Sequence, residues 1–544
     1  MTRQVIHRNF IITALLILMV LLCVLIALSN GTAETDNADV QEANSSGSDA
    51  GIQEESSPED FADLTENHIT PEMFGAAGDG FADDTAAWQQ ALMLAQKNGV
   101  AVFGSPGKTY LCKDLYICSY AIIDLNGATL NIGGISLFLP DTKATGYDGE
   151  HDIEIRNGTI QRVNSIAICH NRNVVLKDLA FVECKGNHFI EICASRDILI
   201  ENCSFSGQQA NNNTYGEMVQ LDVLEPSSFH HFSDNTLNNA TYDGTPLDNI
   251  VIRGCTFNRG QSHMHGGVGS HIDNMLSGNG SMHTNITVED CVFTGSENNS
   301  ITAEGVNGFF VRNNYFCDNE GDCIQLKHSN ENIEICGNTF ENCSAGTEGE
   351  PHYIINTSKK DVYAQNGLLL SGNVILSREE RGTAFLLYFC SPLTVSDNDM
   401  EGGFSLLKLE YCKDITINSN ICHTAHNHNT YIISATNSNL IELDEYTRVD
   451  GNSEAQANIA VITLTTDISL FSDGLIQINY GDNTFETVEL RAKNQTFSIG
   501  EKYSVMSSLG NMYEVNFTYK STIVLTRDDE TSIGNIRCVL MKNV

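Results

Sequence analysis

Apolar and polar residues alternate in short bursts along this chain, and the bursts recur. Asn285-Ile286-Thr287-Val288-Glu289-Asp290-Cys291-Val292-Phe293 returns as Gly308-Phe309-Phe310-Val311-Arg312-Asn313-Asn314-Tyr315-Phe316. It returns again as Asn332-Ile333-Glu334-Ile335-Cys336-Gly337-Asn338-Thr339-Phe340. Further copies start at Asn173, Asp197 and Asn249, with looser ones at Asp152, Gly367, Pro392 and Asp414. The alternation has the period of a strand. A repeat of roughly 22–25 residues built on short β-branched strands predicts a solenoid whose coils bond only to their neighbours. The fold class is all-β, a right-handed parallel β-helix.

The seventh position of the nonamer reads Leu179, Cys203, Cys255, Cys291, Asn314, Asn338, Asn373, Asn398, Asn420. Equivalent residues of stacked coils lie about 4.8 Å apart. This column is therefore an asparagine ladder continued by small buried thiols.

A second strand aligns in each coil by its own alternation: Ile190-Glu191-Ile192-Cys193, Val219-Gln220-Leu221-Asp222, Val268-Gly269-Ser270-His271, Ile301-Thr302-Ala303-Glu304 and Ile324-Gln325-Leu326-Lys327. The first and third residues of each face inward and the second and fourth outward. The outward columns hold two carboxylates, an imidazole and an ammonium on successive coils, richer in chemistry than an ordinary solvated face. The nonamers at Asp197 and Asn249 start 52 residues apart, and those at Asn249 and Asn285 start 36 apart. Both intervals are read as one coil plus a loop. The loop after Asp222 carries Phe229, His230, His231, Phe232, Asp234, Tyr242 and Asp243; the second runs from His263 to His283 and flanks His271. Long solenoid loops gather on the binding face.

At the start of the chain, Arg3 and Arg8 precede an uncharged apolar run from Phe10 to Leu28. Residues 1–29 are expected to be a signal peptide or an uncleaved signal anchor in a membrane. Residues 30–68 contain eleven acidic and no basic residues, the composition of a disordered linker. The β-helix is expected over 69–445. From 452 to 544 the ladder stops and short strands are separated by turns such as Ser472-Asp473-Gly474. This predicts an antiparallel, sandwich-like accessory β domain.

Phe74-Gly75-Ala76, Gly78-Asp79-Gly80, Asp83-Asp84-Thr85-Ala86-Ala87 and Pro106-Gly107-Lys108-Thr109-Tyr110 resemble the opening of the pectate lyase superfamily, which includes rhamnogalacturonase- and polygalacturonase-like β-helices. Asp84 is placed to cap a helix starting at Thr85. Trp88 and Leu92 on that helix would cover the open end of the solenoid, which otherwise exposes core and sheet edge. Asp79, Asp83 and Asp84 are read as structural. Gly321-Asp322-Cys323-Ile324-Gln325-Leu326-Lys327 is similar to the G-D-D-C-I-x-[IL]-K stretch of polygalacturonases. Gly321 replaces the first Asp, Asn299-Ser300-Ile301 lacks the Asp of N-T-D, and no Gly-His-Gly follows Lys327. That family's catalytic set is incomplete here.

The chain has 30 basic and 69 acidic residues, a net charge of −39. This argues against nucleic acid as a partner. Seventeen cysteines in an exported chain raise the prospect of disulfides, yet those in the ladder column are read as buried and unpaired. No cofactor and no metal site is expected; a lyase would be the case for Ca²⁺.

These readings converge on an extracellular or cell-surface enzyme that hydrolyses glycosidic bonds. Asp222 and Glu304, two coils apart, are the candidate catalytic pair, and His271 between them tunes protonation. Glu191, Glu217, Gln220, Asp243, Asp322, Gln325 and Lys327 are candidate substrate-binding residues. The alternatives are a polysaccharide lyase or epimerase acting on a uronate polymer, and a non-catalytic glycan-binding surface protein.

Overall fold

A typical coil contributes three strands, each paired in parallel with its counterpart in the next coil. In one coil these are Asp248–Arg253, Thr256–Asn258 and Gly266–Ser270; in the next, His283–Glu289, Val292–Thr294 and Ile301–Glu304. The chain folds as a right-handed parallel β-helix. This computed structural model describes residues 68–541 except 133–142, 164, 186–187, 209–215, 225–240, 261–265, 271–280, 344–351, 358–364, 377–382, 402–404, 424–432, 437–439, 444–448, 457–458, 465–470, 480–484, 494–495, 520–521 and 528–534. The expected signal segment and acidic linker lie outside the described residues. Among the described residues no helix is long and apolar enough to cross a membrane.

The nonamer explains the geometry position by position. Its first residue turns the chain with φ between 51° and 57° at Asp152, Asn173, Asp197, Asn249, Asn285, Asn332 and Asp414. Its sixth does the same at Asp178, Asn202, Asp290, Asn313, Asp397 and Ser419, with glycine at Gly254. Asn and Asp tolerate this left-handed region because their short polar side chains bond locally. Asn249 Nδ2, for example, donates to Asp197 Oδ1 on the preceding coil at 2.7 Å. The ninth position stacks Phe181, Phe205, Phe257, Phe293, Phe316 and Phe340 at centroid separations of 4.7 to 4.9 Å. These rings are fully buried and run along the core.

The seventh position forms the expected ladder. Asn314, Asn338, Asn373 and Asn398 each donate from Nδ2 to the Oδ1 of the next member, ending at Asn420, over 2.8 to 3.0 Å. Each Nδ2 also donates to a backbone carbonyl, as Asn338 does to Val311 at 2.9 Å. The thiols continue the column: the Cys203 amide donates to Cys255 Sγ and the Cys255 amide to Cys291 Sγ, both at 3.4 Å. The Cys291 amide donates to Asn314 Oδ1 at 2.9 Å, which joins the two series. All three cysteines are free and buried. Hydrogen bonding to Cys255 and burial hold the Cys203 and Cys291 thiols well above the usual range.

At the N-terminal end, α1 (Thr85–Asn98) buries Trp88 and Leu92. The capping differs from expectation. Asp84 makes no side-chain bond to the helix; its carboxylate accepts the Ala77 and Gly78 amides at 2.7 and 3.2 Å. Asp83 takes over, accepting the Thr85 amide at 3.2 Å and pairing with Lys113 at 2.8 Å. The Gly75–Gly78 turn curls back over Asp84, and a buried carboxylate satisfies the free amides nearest to it.

The second strands of the coils form one sheet: β1 (Ile166–Cys169), β2 (Ile190–Cys193), β3 (Glu217–Asp222), β4 (Gly266–Ser270), β5 (Ile301–Glu304), β6 (Ile324–Lys327), β7 (Ile355–Thr357), β8 (Thr383–Tyr388), β9 (Ser405–Glu410) and β10 (Ile433–Thr436). A further strand, β11 (Val449–Gln456), pairs in parallel with β10 at Val449, then antiparallel with β12 (Ile459–Leu464). Antiparallel pairing continues through the remaining C-terminal strands. Hydrogen bonding thus passes from the solenoid into the C-terminal strands within a single strand, and 65–544 is one compact unit.

Candidate functional site

The register of β1 to β6 matches the alignment made from alternation. Glu191 pairs with Gln220, Gln220 with Gly269, Gly269 with Thr302, and Thr302 with Gln325; Cys193 pairs with Asp222, and Glu304 with Lys327. The strands Arg196–Glu201, Asp248–Arg253 and His283–Glu289 are direct neighbours, so both long intervals are loops and not extra coils. Asp222 and Glu304 therefore lie on one face, two strand spacings apart, about 9–10 Å at the backbone. His271 and the cluster from Phe229 to Asp234 lie outside the described residues.

Outward does not mean exposed along this face. At β1 and β2 the outward Ala167, Cys169 and Cys193 are buried in an apolar cluster with Ala194 and Leu224. Leu224 belongs to the excursion that leaves β3. That excursion returns two coils upstream, where Tyr147 Oη donates to the Pro246 carbonyl at 3.0 Å and His170 Nε2 meets the Thr241 carbonyl at 3.2 Å. Asp243, expected to bind substrate, anchors this return by accepting the Gly146 amide at 2.7 Å and the Thr245 amide at 3.0 Å. Burial pushes its carboxyl up, but these bonds bring it below the usual range. Glu191, beneath the closed end, is 3% exposed.

From β3 onward the polar columns come into play. Asp222 is partly buried and accepts the Val223 amide at 2.8 Å on one oxygen and Gln220 Nε2 at 3.0 Å on the other. At Gly269 the missing side chain leaves room for Glu217, whose Cγ lies 2.5 Å from where a Cβ would stand. Glu304 is buried, with Lys327 Nζ at 3.4 Å and His328 Nε2 at 3.7 Å. This differs from the expected solvent-facing side chain: neighbouring groups close over it. Asn299 Nδ2 donates to Gln325 Oε1 at 2.6 Å and fixes the amide of that column.

Asp322 is buried, and both of its oxygens are occupied. It accepts the Tyr353 amide at 2.6 Å and Asn356 Nδ2 at 2.8 Å, with His352 Nδ1 at 3.9 Å. Burial pushes its carboxyl above the usual range against those bonds. Its present partners tie the segment before β7 to β6.

The columns run further than the sequence alignment followed them. Asn356 pairs with Gln325, Leu386 with Asn356, Lys408 with Leu386, and Glu410 with Tyr388. Lys408 Nζ lies 3.5 Å from Glu410 Oε1. The signal was present at Leu407-Lys408-Leu409-Glu410, which carries the same alternation, but not at Phe385-Leu386-Leu387-Tyr388, which is apolar throughout. His328, which follows β6 directly, was also missed; a left-handed turn at φ 52° brings its ring toward Glu304.

Comparison with known proteins finds one family, two relatives and two solved structures that the chain resembles. Residues 269–366 match a family described as "Periplasmic copper-binding protein (NosD)". Among the described residues, no three His, Cys, Asp or Glu side chains converge to hold a metal ion. The chain is 26% identical over 249 residues to plasmin and fibronectin-binding protein A of Streptococcus pneumoniae, covering 38% of this chain and 33% of that protein. It is 26% identical over 181 residues to a capsule K30/K69-specific depolymerase of Klebsiella phage K64-1, covering 30% of this chain and 21% of that protein. The matches thus span about a third and about a fifth of those relatives. Among solved structures, the Streptococcus pneumoniae surface adhesin PfbA has a TM-score of 0.50 at 18% identity, over 73% of this chain and 96% of that one. The tailspike of E. coli bacteriophage HK620, solved with a pentasaccharide, has a TM-score of 0.50 at 10% identity, over 88% of this chain and 94% of that one. At these identities the likeness is one of fold.

Proposed function

We propose that this β-helix is a surface or extracellular protein that binds a poly- or oligosaccharide along the outward face of β3 to β6 and hydrolyses a glycosidic bond there. The observation that carries the reading is the placement of Asp222 and Glu304 on that face, two coils apart with β4 between them. Their backbone spacing suits carboxyls in the roughly 6.5–9.5 Å range of an inverting pair. One carboxyl protonates the leaving oxygen and the other activates water. Lys327 Nζ and His328 Nε2 stand at the Glu304 carboxylate, 3.4 and 3.7 Å from its oxygens. The depolymerase and tailspike likenesses support a glycan as partner, and the adhesin likeness supports a surface location.

The groove's charge bears on the reaction. Lys327 and Lys408 are its lysines among the described residues, and each lies beside a carboxylate. Neither is free to neutralise a uronate carboxylate, which lyase chemistry requires, so hydrolysis is the better reading.

The test is product analysis on a panel of neutral, N-acetylated and uronate polysaccharides. The wild-type chain is expected to release new reducing ends without an unsaturated-uronate absorbance. Glu304→Gln and Asp222→Asn should each lower kcat/KM by two orders of magnitude or more, about 2.7 kcal/mol of transition-state stabilisation. Thermal unfolding of each variant separates lost chemistry from lost structure. Binding without product would replace this reading with that of an adhesin.

A further inference from the structure

Among the described residues, six strands of this sheet are followed by a left-handed turn. Its φ is 57° at His170, 46° at Ala194, 65° at Gly305, 52° at His328, 55° at Phe389 and 57° at Tyr411. Glycine or asparagine meets that requirement at least cost, and a bulky residue with positive φ is an outlier. Two aromatic residues nevertheless occupy it on adjacent coils. Their rings stack at 5.1 Å with an interplanar angle of 8°, and Tyr411 is 46% exposed. The core does not need them, because Leu387, Cys390, Leu409 and Cys412 on either side fill it. Strained residues of this kind persist at ligand clamps.

The surroundings are those of a sugar site. Lys408 and Glu410 lie on the same strand as the turn that carries Tyr411, with hydrogen-bonding groups directed outward. The platform is continuous with the face of Asp222 and Glu304. From β5 to β8 and β9 there are three and four strand spacings, roughly 14–19 Å.

We infer that Phe389 and Tyr411 form a stacking platform for a pyranose ring, a distal subsite for a neutral or N-acetylated glycan lying along the solenoid axis. The aromatic face takes the apolar C–H face of the ring, and Lys408 and Glu410 bond its hydroxyls. The inference rests on the glycan reading above but not on hydrolysis.

The test uses the full chain carrying Glu304→Gln, so that no substrate is consumed, titrated calorimetrically with neutral and N-acetylated tri- and hexasaccharides. Tyr411→Asn removes the ring while giving the turn a residue that suits it. It should leave thermal stability equal or higher, weaken hexasaccharide binding tenfold or more, and leave trisaccharide binding unchanged; Tyr411→Phe should retain binding. Hexasaccharide affinity unaltered in Tyr411→Asn would overturn the platform. A drop in stability without a change in binding would do the same, by making the ring structural. No binding of any saccharide by the parent would remove both the platform and the glycan reading. Binding that depends on Tyr411 in a chain whose wild type releases no product would keep the platform and sink only hydrolysis.

Discussion

Single residues in this chain are chosen by what lies directly above and below them. Cys255 shows how closely. A serine there puts a hydroxyl among thiols and aliphatics, where only a hydrogen-bond partner offsets its burial. The structure gives position 255 partners on both sides: the Cys203 amide donates to its sulfur, and the sulfur faces the Ile200 and Arg253 carbonyls at 3.6 and 3.4 Å. Cys255→Ser keeps those partners at longer reach, so its cost in urea unfolding should be about 1 kcal/mol, at the low end for a disturbed buried polar group. Cys203, Cys255 and Cys291 should resist alkylation in the native protein and react only on unfolding. Rapid native labelling of any of them would contradict the column.

The ladder was legible because each coil imposes the same conditions at the same position, and the nonamer records them nine times. What covers an outward side chain was not legible. Glu304 and Lys327 share a column with Asp222, yet Glu304 is buried and Asp222 is not, for reasons that depend on neighbouring coils. Glu191 is buried although it stands on an outward column, and Cys169 and Cys193 are buried with Leu224, on a loop that follows no period. Asp243 reads as a polar loop residue and proves to be the anchor of that loop's return.

At the scale of elements, α1 and the turn before it close one end of a solenoid that would otherwise present bare core and strand edges. Asp84 couples the two, since its carboxylate holds the Ala77 and Gly78 amides while its backbone starts the helix. Asp84→Ala leaves the buried Gly78 amide and the partly buried Ala77 amide without an acceptor, at a cost of about 1–3 kcal/mol. Trp88, the single tryptophan of the chain, is fully buried on this helix and reports it directly. In Asp84→Ala its emission should shift to the red at lower urea than in the wild type. An unchanged fluorescence midpoint would show that Asp84 does not hold the cap. The helix itself was legible from Thr85 onward; the exchange of roles between Asp83 and Asp84 depends on how the preceding turn folds back.

At the scale of the whole molecule, the solenoid turns a linear sequence into parallel columns, so residues 82 positions apart, Asp222 and Glu304, share one face. A face made this way is long, closed at β1 and β2, and lined with groups from Gln220 to Tyr411, a shape suited to a chain-like ligand. Its acidity and the net charge of −39 favour a neutral or N-acetylated glycan over a polyanion. The most direct measurement is the crystal structure of Glu304→Gln soaked with a hexasaccharide that the wild type cleaves. The account predicts sugar density running along β3 to β9, with the scissile linkage between Asp222 and residue 304 and a distal ring on Tyr411. Saccharide bound on another face of the solenoid, or bound here with the scissile linkage beyond reach of both carboxylates, would contradict it.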